Sequence, residues 1–317
     1  MKPQPPYYES RFVRANDPGR GRALWLRSTL LLPTAGVPVA DSWAMVFDPD
    51  GAGNRALKQP HPIDQSDYQS DPWTARIGAT SIDDRSARGS VSVADRSARW
   101  DLRIAPSASG PVKLLTDRGY KAKFPTAKTM VRDPLARFEG SVHLDDVHFE
   151  VADWTGSVNH NWGRRHTPAY AFGQVCGFDR APASSLEIVT ARAAVGPFSL
   201  PAATLLVFRH DGRELAVRSV LATRHSHGDY RPFIWSFGAR VDGVEVDGEI
   251  TAQPGDVIGL TYTDTDGETK YCYNSALATC RLHLSGSGVA ETELTATRRA
   301  MFEILTDTRS ADVPLLA

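Results

Sequence analysis

Residues 154–163 read WTGSVNHNWG, and residues 170–176, close behind them, read YAFGQVC. Both stretches are typical of β-strands, and the residues between them form the connection. Side chains alternate between the two faces of a strand, so His160 and Trp162 share one face and Asn161 takes the other. The pair of strands therefore carries a dense mixture of polar and aromatic side chains.

The second strand repeats this mixture on a single face. Tyr170, Phe172, Gln174 and Cys176 occupy alternate positions and therefore point to the same side. A face that combines aromatic rings with neutral hydrogen-bonding groups is typical of an apolar pocket with a few polar contacts. Packing is the alternative interpretation, because Trp, Tyr and His on strands also serve as core or cross-strand partners.

The rest of the chain is also typical of β-structure. Short alternating segments end at turn residues, as Ala23–Leu32 does at Pro33. Two hairpins are predicted, Arg88–Val93 with Arg99–Ile104 and Phe138–Leu144 with Val147–Val151. Many strands at short spacing indicate barrels or sandwiches, and the total is too large for one small barrel. We predict an all-β fold of two antiparallel β-barrels with little helix.

Three segments depart from this pattern. Residues 297–305 contain Ala300, Met301 and Ile304, which fit an apolar stripe and make this the one candidate helix. Residues 54–72 are polar and rich in proline and are predicted to form a long loop or lid. Residues 106–133 are mixed in character and receive no assignment.

Length and charge exclude several classes of protein. The chain has 317 residues, which favours two domains. Its 36 basic and 37 acidic residues give a net charge of −1, without the basic face that a nucleic-acid-binding protein needs. The short basic run at residues 164–166 is expected to be a solvated loop. No apolar run is long enough to form an integral membrane segment and no secretory signal is recognised, so a cytoplasmic location is the default expectation.

The sequence contains no recognisable motif for a metal or a cofactor. Cys176, Cys272 and Cys280 have no metal-ligand spacing, and reduced thiols are expected. No phosphate loop or dinucleotide fingerprint is present. We therefore expect no metal and no cofactor.

Several motifs together resemble the superfamily of tocopherol cyclases and carotenoid 1,2-hydratases (hydroxyneurosporene synthases). They are WTG at 154–156, HNWG at 160–163 and the strand at 170–176, where Tyr170 and Phe172 stand in place of the tryptophans of a Trp-x-Trp-x-Gln-Cys type strand. The bacterial branch is further resembled by YESRF at 8–12, NDP at 16–18, WLR at 25–27, YCYNS at 271–275 and LATC at 277–280.

The resemblance implies two lipocalin-like barrels packed together, with an apolar cavity near their interface. We expect a boundary near residues 165–185, with an N-terminal barrel over 1–175 and a C-terminal barrel over 176–317. Relatives hydrate a terminal double bond, cyclise a prenylated quinol or guide a Diels–Alder cyclisation, all without a redox cofactor. The implied activity is that of a hydratase (a lyase), cyclase or isomerase acting on an apolar isoprenoid, such as a terpenoid or carotenoid-like molecule.

Acid-type chemistry on a double bond needs a proton donor. His160 is one candidate, since its ordinary pKa lies near neutral pH. Glu9 and Asp153 are the nearest carboxyl groups to the motifs, and burial would raise the pKa of either. The hydroxyl of Tyr170 is the fourth candidate. Each also has a structural interpretation, such as an ion pair of Glu9 with Arg11 or a solvent-facing position for Asp153.

Such chemistry also needs walls that tolerate positive charge. Aromatic faces provide about 0.5 to 2 kcal/mol each through cation–π attraction. The candidate aromatic residues are Trp25, Trp162, Phe172 and Trp235, with Tyr170.

A pericyclic cyclase of a polyketide-derived substrate needs less, namely one substrate conformer and a polarised carbonyl. Arg11, Asn161, Gln174 and Tyr170 are donors suited to that task, so the residues do not choose between the mechanisms. The same pocket would also serve a non-catalytic carrier of an apolar ligand. A serine hydrolase is disfavoured, because the Gly-x-Ser-x-Gly elbow is missing.

Overall fold

The computed structural model describes residues 3–19, 21–192, 194–195, 198–199 and 201–317. Two large antiparallel sheets contain most of these residues. The strands of the first sheet are β1 (Tyr7–Asn16), β2 (Ala23–Leu32), β3 (Val39–Phe47), β4 (Arg55–Pro62), β5 (Ser66–Ser70), β6 (Trp73–Ile77), β7 (Thr80–Asp83), β8 (Ser86–Val93), β9 (Arg96–Ala105), β10 (Val112–Lys113), β11 (Ala127–Leu144) and β12 (Val147–Gly163).

The second half of the chain forms the other large sheet and one small one. Its strands are β13 (Ala169–Phe178), β14 (Ala181–Arg192), β15 (Ala194–Val195), β16 (Phe198–Ser199), β17 (Ala203–His210), β18 (Arg213–Val217), β19 (Ser226–Arg231), β20 (Ile234–Val241), β21 (Val244–Thr251), β22 (Ile258–Thr263), β23 (Thr269–Gly286) and β24 (Thr292–Thr306); β15 and β16 pair only with each other. The described helices are α1 (Asp117–Lys121) and 3-10 turns at Ile63–Gln65, Val220–His225 and Pro254–Asp256.

Each large sheet curls into a nearly closed barrel, which confirms the prediction of two lipocalin-like barrels. The first has the strand order β4-β3-β2-β1-β12-β11-β9-β8-β7-β6-β5, with β10 beside β11. The second has the order β18-β17-β14-β13-β24-β23-β21-β20-β19, with β22 beside β23. In both barrels the first long strand therefore pairs with the last one.

The chain changes sheets between Gly163, the end of β12, and Ala169, the start of β13. The expected boundary between residues 175 and 176 falls inside β13, whose described partners are β14 and β24 of the second sheet. The sequence shows where polar and aromatic side chains concentrate but not which sheet they join. From sheet membership we propose residues 164–168 as the linker between the two domains.

The predicted helix at 297–305 and the predicted loop at 54–72 are both wrong. Residues 297–305 lie in β24, where Ala300 and Phe302 face the core of the second barrel and Met301 faces the first barrel. A strand buried on both faces has apolar residues at consecutive positions, which imitates a helical stripe. Residues 54–72 instead contain β4 and β5, which stand at the two edges of the first sheet and expose polar side chains.

Burial separates two kinds of strand. Strand β9 alternates strictly between buried and exposed residues, whereas β1 and β3 are buried at nearly every position. The second pattern arises because one face of these strands lines the barrel while the other packs on the second barrel. Among the described residues, three large apolar cores result, one inside each barrel and one between them, and Leu30, Ala40 and Ile77 form a small fourth cluster. The inter-barrel core contains Phe12, Trp25 and Phe172.

Gly156, the glycine of the WTG motif, lies where β12 passes very close to β1. A Cβ atom at this position would lie 1.8 Å from the backbone oxygen of Arg14 on β1. Backbone cannot move aside as a flexible side chain can, so β12 approaches β1 this closely only with glycine at position 156.

Candidate active site between the barrels

An apolar pocket of about 130 Å³ lies where the outer faces of the two barrels meet. We call it the apolar lobe. Its volume is close to the roughly 150 Å³ of an engineered cavity that admits benzene, so it accommodates about one ring or one isoprene unit. Its walls are Tyr8, Phe12, Trp25, Arg27, Leu114, Leu115, Pro125, Ala127, Lys128, Thr129, Asn161, His166, Thr167, Tyr170, Phe172, Val189, Ala191, Leu205, Met301 and Glu303.

A second pocket of about 420 Å³ adjoins the first, and we call it the polar lobe. The two lobes share Tyr8, Arg27 and His166, and together they form the inter-barrel cleft. The other residues around the polar lobe are Glu9, Ser10, Thr29, Leu30, Leu31, Val39, Asp41, Trp43, Lys58, Pro60, Tyr262 and Thr263. Both lobes therefore combine apolar walls with charged side chains, Arg27, Lys128 and Glu303 in the first and Glu9, Arg27, Asp41 and Lys58 in the second.

Tyr170 and Glu303 form the polar pair of the apolar lobe. The Tyr170 hydroxyl donates to Glu303 Oε1 over 2.5 Å, and Asn274 Nδ2 donates to Glu303 Oε2 over 2.9 Å. Burial raises the pKa of Tyr170 well above its ordinary value, and the neighbouring carboxylate of Glu303 raises it further. Tyr170 therefore keeps its proton and holds Glu303 as a hydrogen-bond donor.

Arg27 borders both lobes and is buried at 8% exposure. Its Nε donates to Ser10 Oγ over 2.7 Å, and its Nη1 donates to the hydroxyl of Tyr262. Burial alone would lower the pKa of Arg27, but Tyr262 and Glu303 outweigh it and raise the pKa above its ordinary value. The cleft thus contains a permanent positive charge.

His166 and Asp264 form a second polar pair at the junction of the lobes. The His166 ring nitrogen Nδ1 lies 2.9 Å from Asp264 Oδ1, and its ring stacks on Tyr8 with 3.8 Å between centroids. Burial would raise the pKa of Asp264, but hydrogen bonds from His166 and the charge beside it lower the pKa to about 2. An ionised Asp264 favours the His166 tautomer that carries its proton on Nδ1.

His160, Glu9, Arg11 and Trp162 lie together on the face of β1 and β12 that points away from the apolar lobe. His160 Nε2 lies 2.8 Å from Glu9 Oε1, and the Arg11 guanidinium lies 2.7 Å from the same oxygen. The His160 ring stacks on Trp162. We call these four residues the barrel-end cluster. None of them lines the apolar lobe, and only Glu9 borders the polar lobe.

The charges of the barrel-end cluster satisfy one another. Burial would raise the pKa of Glu9, but hydrogen bonds and charge from His160 and Arg11 lower it to about 2. Burial lowers the pKa of His160 below its ordinary value, although Glu9 opposes this. A neutral imidazole and an ionised carboxylate are poor proton donors at neutral pH.

The remaining predicted site residues are divided among several places. Asn161, Trp25, Tyr170 and Phe172 line the apolar lobe. Trp235 lies in the core of the second barrel. The side chain of Asp153 is 70% exposed and lies 3.5 Å from Arg137.

Gln174 lies in a buried polar network between the barrels. It accepts from Arg14 and Ser157 through Oε1 and donates to Asn159 and Glu187 through Nε2. Arg14 also donates to the sulfur of Cys176. The shared face predicted for Tyr170, Phe172, Gln174 and Cys176 therefore exists, but only its first half borders the cleft.

Sequence reasoning missed several polar residues that lie in or next to the cleft. They are Arg27, His166, Tyr262, Asp264 and Glu303. Two signals pointed to them: Arg27 shares a strand face with Trp25, and His166 belongs to the basic run assigned to a solvated loop. In the structure His166 is largely buried and lines both lobes. Glu303 had no local signal, because it lies on the strand mistaken for a helix.

Comparisons with known proteins agree with this fold. No family model matches the chain. The uncharacterized Mycobacterium tuberculosis proteins MT0513 (strain CDC 1551) and Rv0493c (strain H37Rv) are each 26% identical over 286 residues, 87% of this chain and 80% of the relative. CghA with Sch210972 matches with a TM-score of 0.60 and 9% identity, covering 96% of this chain and 90% of that one. Kievitone hydratase from Nectria haematococca matches with a TM-score of 0.56 and 9% identity, covering 95% of this chain and 89% of that one. The chain shares their fold.

The described residues contain neither a membrane-spanning helix nor a cluster of metal ligands. No helix there is long and apolar enough to span a membrane. No group of three His, Cys, Asp or Glu side chains there is arranged to hold a metal ion. Cys176, Cys272 and Cys280 are all buried and free.

Proposed function

We propose that the protein is a cofactor-independent hydratase or cyclase that acts at a double bond of an apolar, isoprenoid-like molecule in the inter-barrel cleft. The observation that carries this proposal is the buried Tyr170–Glu303 pair in a pocket whose walls include Phe12, Trp25 and Phe172. A buried carboxyl group with two neutral donors and a substrate-sized space beside it has the surroundings of a general acid or base. The likeness to kievitone hydratase supports the same reaction class.

Three groups of side chains in the cleft have separate roles in the proposed reaction. Phe12, Trp25 and Phe172 hold the hydrocarbon part and exclude water by shape. Glu303 exchanges a proton with the substrate or with an attacking water molecule, and Tyr170 keeps the carboxyl group oriented. Positioned proton transfer of this kind contributes about 10²- to 10⁴-fold in rate.

The barrel-end cluster has a structural role in this proposal. Its histidine is neutral at physiological pH, its carboxylate is ionised, and the sheet lies between it and the apolar lobe. In this proposal Glu303, which lines the apolar lobe, takes the place of His160 as the group that exchanges a proton with the substrate.

The test is to purify the protein, extract any bound molecule for mass spectrometry and incubate it with a panel of prenylated phenols and terpenoids without cofactor. A hydratase adds the mass of one water molecule, whereas a cyclase gives a product of unchanged mass and altered retention. The same panel with Glu303→Gln is the control. Return of every ligand unchanged by the native protein contradicts catalysis and favours a carrier of apolar ligands.

A pericyclic cyclase is the second candidate. The structural likeness to CghA favours this alternative. The buried Arg27 favours it as well, because its guanidinium group can polarise a carbonyl group. Such an enzyme needs no proton transfer, so full turnover by Glu303→Gln together with a product of unchanged mass would select this alternative.

A further inference from the structure

One donor of Arg27 is unused at the junction of the two lobes. Its Nε and Nη1 are bonded to Ser10 and Tyr262, whereas Nη2 donates no hydrogen bond to another residue in the described part of the chain. No carboxylate there lies within ion-pair distance of Arg27. The cleft therefore presents a fixed, buried N–H donor with a full positive charge.

Aromatic rings hold the guanidinium group in place. Its central carbon lies 4.6 Å from the ring centroid of Tyr262, 5.5 Å from that of Trp25 and 5.8 Å from that of Trp43. Cation–π contacts and two hydrogen bonds fix the orientation of the group. Flat aromatic surfaces beside it also suit a planar, conjugated ligand.

We infer that the cleft binds a substrate whose reacting double bond is conjugated with a carbonyl group, and that Arg27 Nη2 donates a hydrogen bond to the carbonyl oxygen. This inference rests on the proposed function and narrows its substrate class. The hydrocarbon part of the molecule occupies the apolar lobe, and the carbonyl oxygen lies where the lobes meet.

The charge balance of the cleft favours a carbonyl oxygen over the other groups that an apolar molecule carries. A pure hydrocarbon would displace water from Arg27 and leave a buried donor unpaired, which costs free energy. A carboxylate at this place would bring a second negative charge near Glu303, whose charge already interacts with that of Arg27. A carbonyl group is neutral when bound and becomes negative only during the reaction, so Arg27 stabilises the transition state more than the ground state.

The resulting hydration step balances in protons and electrons. The oxygen of water forms a bond to the β-carbon while Glu303 accepts one water proton. The π electrons of the double bond move to the carbonyl oxygen, where Arg27 stabilises the enolate. The α-carbon then takes the proton back from Glu303 and the carbonyl group re-forms, so that one molecule of water has been added across the double bond.

The experiment uses β-ionone, an isoprenoid ketone with a conjugated double-bond system, and β-ionol, the matching alcohol. Binding is followed by quenching of tryptophan fluorescence, since Trp25 and Trp43 flank Arg27. A hydrogen bond from a cation to the carbonyl oxygen also moves the absorption band of the bound ketone to longer wavelength. We expect this shift in the native protein and about tenfold tighter binding of the ketone than of the alcohol, the ratio that 1.4 kcal/mol produces.

Variants separate the effect of Arg27 from that of a cation outside the cleft. Arg27→Met should abolish the absorption shift and the preference for the ketone. Arg27→Lys keeps the positive charge but lacks the planar, forked geometry of the guanidinium group, so it should retain part of both effects. Arg137→Met removes an exposed cation outside the cleft and should keep both, with the melting temperature showing that each variant is folded. The inference is overturned if the native protein binds the ketone and the alcohol with equal affinity, or binds neither. It is also overturned if the absorption shift survives in Arg27→Met.

The outcomes also separate this inference from the proposed function. Binding of β-ionone with the spectral shift, but without turnover of any compound in the substrate panel, supports the carbonyl site and contradicts the enzymatic proposal. Turnover of an unconjugated prenyl group at the same rate in native protein and Arg27→Met supports the enzymatic proposal and overturns the carbonyl site.

Discussion

The two faces of β1 and β12 carry two polar clusters of different character. On one face, the carboxylate of Glu9 accepts hydrogen bonds from Tyr7, Arg11 and His160. Next to the other face, Arg27 of β2 and Glu303 of β24 border the apolar lobe, and Arg27 retains an unused donor. The barrel-end cluster has the more suggestive residues, but its groups are already satisfied by one another. A candidate site is better recognised by polar groups that face a cavity than by the density of polar residues.

The largest effect should come from Glu303→Gln, which preserves shape and removes the ionisable group. We expect turnover to fall about 10³-fold, within the range for loss of a general acid or base. The measurement is the rate of product formation with the substrate identified by extraction. A melting temperature close to that of the native protein shows that the fold is intact, and a rate within threefold of native contradicts the assigned role.

His160→Ala tests the barrel-end cluster from the opposite direction. It removes one of the donors to Glu9 and should lower the free energy of unfolding by about 1 to 2 kcal/mol. Turnover by the folded protein should stay within threefold, whereas the sequence-based hypothesis expects the reverse. Chemical denaturation and single-substrate kinetics on the same preparation give both values.

Asn161→Ala is the matched control for that variant, because the two residues are neighbours on opposite faces of β12. Asn161 lines the apolar lobe, so its substitution should change the KM for substrate more than it changes stability. If His160→Ala is stable but inactive, the proton-transfer site belongs to the barrel-end cluster.

Tyr170→Phe removes only the hydroxyl group that orients Glu303. We expect a loss of about tenfold in kcat, close to the value of one hydrogen bond to a charged group. The KM should change little, since the ring remains in the wall of the pocket. A loss as large as that of Glu303→Gln would instead indicate that the tyrosine hydroxyl itself transfers the proton.

Glu187 in the buried network with Arg14 and Gln174 provides the smallest and most specific prediction. Burial raises the pKa of Glu187 from 4.5 to about 8, against the opposing effects of Gln174 and Arg14. Between these pH values the folded protein keeps a proton that the unfolded chain has lost, so stability falls as pH rises. Turnover should be unaffected by this residue directly, because Glu187 lines neither lobe of the cleft.

Glu187→Gln should remove this contribution. We expect its melting temperature to exceed the native value by a few degrees near pH 8 and to match it near pH 4. Thermal unfolding across that range checks both limits. If the stability of the native protein rises steadily from about pH 5 to about pH 8, and that of the variant rises in parallel, the raised pKa of Glu187 is contradicted.

The sequence by itself determined the fold class and many of the strands. Ala23–Leu32 was predicted as a strand and is β2 without change, because alternation and turn residues are local properties of the chain. The same local rules placed His160 and Trp162 on one face of β12 and Asn161 on the opposite face. They also placed Tyr170, Phe172 and Gln174 on one side of their strand.

Only the tertiary structure decided which of these faces borders the cleft. The strands of the inter-barrel core are buried on both sides, and alternation cannot tell a barrel interior from an interface. The partners of Tyr170 and Arg27 come from β24 and β22, more than a hundred residues away along the chain. Such contacts depend on how the second barrel docks against the first, which no periodicity within a single strand records.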